Sequence, residues 1–116
     1  MTAIIIVNWN GADDTIACLE SLSRVEEPHF VVIADNASTD DSVERIQIWL
    51  DRHSDNTNVK LYQLLPLDAN YGFAVGNNKA LALAVQRNPD YCMLLNNDTE
   101  VEPDFLSRLV SYADGN

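Results

Sequence analysis

Basic residues are scarce in this chain: seven Lys and Arg face eighteen Asp and Glu, for a formal charge of −11 at pH 7. Proteins that hold nucleic acid neutralise its phosphates with clustered Lys and Arg, so no nucleic-acid partner is expected. Long apolar runs are missing as well. No stretch approaches the roughly 20 consecutive apolar residues that cross a bilayer. The opening "MTAIIIVNWN" has neither the basic start nor the small-residue cleavage site of a secretory signal. A cytoplasmic location is expected, with membrane association of a full-length protein left open. Cysteine is limited to Cys18 and Cys92, which lie in apolar stretches without CxxC spacing or a nearby histidine, so both are expected to be buried free thiols. His29 and His53 have no partners at metal-ligand spacing, and no Ser, His and Asp combine into a nucleophilic set. The four glycines form neither GxGxxG nor GxxxxGK[ST], which excludes a dinucleotide fingerprint and a P-loop.

What is present suits one soluble domain: 116 residues, 47% of them apolar. Short β-branched runs alternate with helical patterns. "AIIIV" (3–7) reads as a buried strand closed by the turn "NWNG", and "DDTIACLESLSRV" follows with Ile16, Leu19 and Leu22 at helical spacing behind two N-terminal acids. "HFVVIAD" (29–35) is a second strand, and Val43, Ile46, Trp49 and Leu50 mark one face of the helix after it, with Ser38, Thr39, Asp40 and Asp41 as cap candidates. "NVKLYQL" (58–64) gives a third strand beyond an exposed turn at 53–58. An alanine-rich helix lies within 71–88, and "YCMLL" (91–95) reads as a fourth buried strand before a helix started by Pro103. Strands alternating with helices imply an α/β fold, a mostly parallel sheet flanked by helices through right-handed crossovers. Ligands of such sheets lie beyond the carboxyl ends of the strands, where this chain gathers Asn8 to Asn10, Asp35, Asn36 and Asn96 to Asp98.

Each polar group at that edge has a ligand reading and a plain one. Asp98 suits a Mg²⁺ or Mn²⁺ whose other ligands are water and diphosphate oxygens, and Asn96 suits a ribose hydroxyl; equally, "NNDT" could cap a helix or form Asx turns. Asp35 ends its strand before the cap region begins, so it could accept from the imide N–H of a uracil or thymine, or simply form a turn. Gly72 and Gly76 could let backbone approach a ligand, with Asn70 and Asn78 offering amides, or could mark an irregular helix start. Trp9 could cover a base or pack on the sheet, and Lys79 reads as a solvated helix charge.

In order, "VNWNG", "ADNASTDDS", "NYGFAVGNNKAL" and "LLNNDTEVEPDFL" closely resemble the family-two glycosyltransferases of the GT-A fold, in particular their rhamnosyltransferase-like branch. The resemblance covers nearly the whole chain, and its weight lies in four weak motifs kept in order. It implies a nucleotide-diphosphate sugar donor, UDP- or dTDP-linked, a saccharide or lipid-linked acceptor, and inverting transfer in polysaccharide biosynthesis. It would place Trp9, Asp35, the Asn70 to Gly72 segment and Asn96 on the nucleotide and Asp98 on Mg²⁺ or Mn²⁺. The family's DxD signature is Asn96-Asn97-Asp98 here, which leaves Asp98 as the one clear metal ligand. Complete family domains are longer, so the general base is expected beyond Asn116 and residues 1–116 look like an isolated donor-binding half, inactive alone and prone to self-association. A non-catalytic nucleotide-sugar-binding or assembly module is the alternative. A phosphoacceptor receiver domain fits the length but not "NWN" and "LPLDAN", which stand where it needs acids.

Overall fold

A strand whose seven residues are all buried must be covered on both faces and both edges, and β1 (Thr2–Asn8, TAIIIVN) meets that requirement at the centre of the sheet. The structure, a computed structural model, describes residues 1–56 and 58–115. Its sheet has the order β3-β2-β1-β4, all parallel, with β2 at His29–Asp35, β3 at Val59–Pro66 and β4 at Tyr91–Leu94. The helices are α1 (Ala12–Ser23), α2 (Ser42–Arg52), α3 (Phe73–Val85) and α4 (Phe105–Asp114). Thr57, inside the turn expected at 53–58, lies outside the described residues.

The two faces of the sheet differ in side-chain size. Ile4, Ile6, Val31 and Ile33 point toward Leu19, Leu22, Ile46, Trp49, Leu50 and Leu106 of α1, α2 and α4. On the other face Ala3, Ile5, Val7, Val32 and Ala34 meet Ala80 and Ala84, so α3 sits close on small residues. Ile4, Ile5 and Ile6 are fully buried, each stabilising the fold by about 1.5–3 kcal/mol relative to exposure. Hydrophobic periodicity therefore settles which helix face turns inward.

Two expectations about the C-terminal quarter are corrected. The fourth strand is not buried: Tyr91, Cys92 and Leu94 are exposed. Cys92 and Leu94 pair with Ala3 and Ile5 and so share the α3 face, but α3 lies chiefly across β1 and β2 and leaves the outermost strand uncovered. Cys92 is thus an exposed free thiol. Cys18 is buried as expected, and its thiol is pushed up to about 12 by burial first and by the carboxylates of Asp98 and Glu100 second. Pro103 does not start α4. It lies in a turn closed by Phe105 N–H donating to Glu102 O, while its own carbonyl accepts from Glu26 N–H at 3.1 Å, tying the segment to the end of α1. Among the described residues no helix is long and apolar enough to cross a membrane.

His29 opens β2 with its ring fully buried and Nδ1–H donating to Glu27 O at 2.8 Å. Burial, the largest influence, lowers its pKa from 6.5. The unfolded chain then binds the proton that the native state refuses. Stability is therefore complete above 6.5 and falls as the pH drops below it, with a slope approaching about 1.4 kcal/mol per pH unit until the folded ring itself protonates. Urea midpoints measured down to about pH 5 should show this slope, and His29→Phe should flatten it; an equal slope in the variant would assign the acid sensitivity to other groups.

Candidate functional site

β1 and β2 end side by side, with Asn8 paired to Asp35 in register. An amide and a carboxylate thus finish two apolar strands at the same level. Asp35 is only 1% exposed, and its carboxyl oxygens are satisfied by three hydrogen bonds, as a buried polar group requires. Oδ1 takes Asn8 Nδ2–H at 2.8 Å and Ser38 Oγ–H at 2.7 Å, and Oδ2 takes Ser38 N–H at 2.9 Å. Asn8 is fully buried, and its Oδ1 accepts from Thr15 Oγ at 2.6 Å. Thr15 Oγ in turn accepts from Asn97 Nδ2–H at 3.1 Å. One line of bonds therefore joins the ends of β1 and β2, the first turn of α1 and the loop after β4.

The loops above this line are held by asparagines. Asn10 adopts the left-handed region (φ 49°), which its side chain tolerates better than most. Its Oδ1 accepts from Thr39 N–H at 2.8 Å and Asp40 N–H at 3.3 Å, and its own N–H donates to Ser38 Oγ at 2.9 Å. Of the four cap candidates for α2, Asp40 accepts from Ser42 N–H at 2.9 Å, and the Ser42 hydroxyl first and this N–H second hold its carboxyl below the usual range, while Ser38 serves Asp35. Ala37 is also left-handed (φ 59°) but has no side chain to offset the cost. Ala37→Gly should raise stability by about 0.5–1 kcal/mol, because a left-handed penalty of about 1–2 kcal/mol outweighs glycine's extra unfolded-state entropy. A lower melting temperature would contradict this.

Asn36, 3% exposed, clamps the start of α3 by donating Nδ2–H to Gly72 O at 3.0 Å. Gly72 has φ 84° with open space around it, so its conformation, not crowding, selects glycine. Asn70 accepts from Gly72 N–H at 2.9 Å and completes an Asx turn. Gly76 is crowded: a Cβ there would stand 2.9 Å from Asn36 Nδ2, so this glycine serves helix-to-sheet packing and not approach to a ligand. Lys79 is not simply solvated; its ammonium sits 4.5 Å from the centre of the Tyr71 ring.

Residues left facing solvent on this rim are Trp9, 52% exposed and off the sheet, together with Asn70, Gly72, Asn96 and Asp98. The loop after β4 alternates: Leu95 is buried, Asn97, Thr99 and Val101 are half-buried, and Asn96, Asp98 and Glu100 are exposed. Its inner side is fastened by Leu95 N–H to Ile5 O, by Asn97 to Thr15 and by Val101 N–H to Ser21 Oγ. Asp98 carries no hydrogen bond or ion pair to another described residue.

This rim lies on a chain whose residues 3–116 match the sequence profile of Glycosyl transferase family 2. The chain belongs to that family. A search of curated protein sequences gives no significant match. Among solved structures, the family 2 chain is similar to S. aureus TarS 1-349 (TM-score 0.79, 19% identity, 98% of this chain and 32% of that one). It is also similar to the mannosyltransferase PcManGT from Pyrobaculum calidifontis in complex with GDP-Man and Mn²⁺ (TM-score 0.80, 22% identity, 96% and 31%). A longer S. aureus TarS structure gives a TM-score of 0.78 at 19% identity, over 98% of this chain and 19% of that one. The chain thus spans a third or less of each structure, and the likeness establishes the GT-A fold.

Family 2 membership makes the metal question specific. No group of three or more His, Cys, Asp or Glu that could enclose an ion occurs among the described residues. Magnesium-type sites need no such cage; one or two carboxylates suffice when phosphate and water complete the shell. Asp98, exposed and unengaged, fits that donor set, with the amides of Asn96 and Asn97 beside it. Sequence reasoning placed Asn8 and Asn10 at the rim without giving them roles, named Ser38 only as a helix-cap candidate, and missed Thr15 altogether. Asn8 carried the same signal as Asp35, a polar residue closing an apolar strand; Thr15 carried none.

Proposed function

We propose that this family 2 chain is the donor half of a glycosyltransferase, holding a nucleotide-diphosphate sugar against the rim and Mg²⁺ or Mn²⁺ on Asp98. The observation that carries the reading is the bonded line Asp35–Asn8–Thr15–Asn97, which fixes the Asp35 carboxyl and the loop bearing Asp98 in one frame. That PcManGT was solved with GDP-Man and Mn²⁺ supports a nucleotide sugar and a divalent ion here.

Trp9 offers a flat face to the base, and the Asn70 to Gly72 turn borders it. Asp35 is first the anchor of its loop; Oδ2, with one bond against two at Oδ1, retains acceptor capacity for a base N–H. Asn96 lies exposed where a ribose hydroxyl would bond. The cation, when bound, supplies positive charge to the diphosphate leaving group. Transfer with inversion also requires a general base to deprotonate the hydroxyl of a saccharide or lipid-linked acceptor, a part assigned to no residue of this chain. Binding without turnover is the expected behaviour of residues 1–116.

Calorimetric titration of the folded chain with UDP, dTDP and GDP, in Mn²⁺ and in EDTA, tests the proposal. Binding of at least one nucleotide, tighter with Mn²⁺, is expected. No heat from any of them at about millimolar concentration would remove the donor site.

A further inference from the structure

Thr15 and Asn97 hold no place in the nucleotide and metal contacts proposed above, yet they are joined to each other across 82 residues of sequence, and Thr15 is fully buried. Three facts make this bond more than a generic surface contact. First, its direction is fixed. Thr15 spends its single proton on Asn8 Oδ1 at 2.6 Å, so it can only accept from residue 97, and Asn97 donates with its amide. A carboxylate at residue 97 could not donate there, which accounts for an amide in the middle of Asn96-Asn97-Asp98. Second, room is reserved for that amide: a Cβ on Gly11 would lie 3.0 Å from Asn97 Nδ2. Third, the loop alternates, so fastening Asn97 inward turns its neighbours Asn96 and Asp98 outward.

We infer that Thr15 and Asn97 are positioning residues that aim the Asp98 carboxylate at the diphosphate end of the donor site, an inference that rests on the donor-site reading. The bond adds no ligand of its own. It fixes where the carboxylate stands relative to Asp35, to which the same line of bonds leads. Groups that orient a metal ligand from behind typically change metal affinity or activity about 10- to 100-fold when removed.

Thr15→Val keeps the side-chain shape and deletes the hydroxyl; Thr15→Ser keeps the hydroxyl. UDP, dTDP and GDP titrations of the whole chain in Mn²⁺ and in EDTA give, for each protein, the factor by which metal tightens binding. Thr15→Val should lower that factor about tenfold while metal-free affinity stays within about twofold, and Thr15→Ser should restore it. Asn97→Leu repeats the comparison from the other side of the bond and serves if Thr15→Val does not fold. An unchanged factor in both variants, a parallel loss with and without metal, or failure of Thr15→Ser to rescue would each overturn the positioning role while leaving the donor site intact. Wild-type chain that binds none of the three nucleotides would instead overturn the donor-site reading, and this inference with it.

Discussion

Asn8→Ala should destabilise the protein by about 3–5 kcal/mol, a large share of the roughly 5–15 kcal/mol available to a domain of this kind. The amide satisfies two buried neighbours at once, accepting from Thr15 Oγ and donating to Asp35 Oδ1. Truncation leaves both with a missing partner, and one of them is a buried carboxyl group. A thermal melt should show a drop of about 10–20 °C, and a shift under about 3 °C would mean that water replaces the amide at no cost. Asn8→Asp separates chemistry from size. It sets two carboxylates in buried contact, which cannot both ionise, so the pair's folded pKa is raised. Stability of that variant should be kept at low pH and lost as pH rises through the raised value, the opposite of the His29 effect.

Asp98→Ala should leave stability within about 0.5 kcal/mol of wild type, since the side chain is exposed and makes no hydrogen bond or ion pair to a described residue. Its effect should fall on binding instead. Nucleotide in Mn²⁺ should bind the variant no more tightly than in EDTA, because the carboxylate proposed to hold the ion is gone. A retained Mn²⁺ dependence would move the metal ligand elsewhere, with Glu100, exposed on the same side of the alternating loop, as the next residue to replace. The two substitutions thus divide the rim into a frame that holds the fold and an exposed group proposed to meet the ligand.

That division explains how much of the molecule was legible in its sequence. The four strands, the four helices and the parallel order follow from apolar runs of β-branched residues alternating with helical spacing, and β2 spans the residues expected of it. Cys92 and Leu94 misled because an apolar run reads the same whether or not a helix covers it; coverage depends on where α3 settles, and α3 favours the small residues of β1 and β2. Pro103 misled because its carbonyl is drawn to Glu26 by a long-range bond that no local rule contains. At the rim, Asp35 and Asp98 were visible as polar ends of apolar strands. Thr15 was not visible, because a threonine in the first turn of a helix is ordinary until the fold brings Asn97 to it.

Paramagnetic broadening of amide resonances by Mn²⁺ in the presence of UDP, with Mg²⁺ as the silent reference, tests the central claim most directly. Broadening should centre on Asn96 to Asp98 and extend to the loops that follow β1 and β2, around Trp9 and Asn36, while the far ends of the strands stay sharp. Broadening centred instead on Glu27, Asp90 and Asp114, the acidic side chains gathered near Met1 at the opposite end of the sheet, would contradict it.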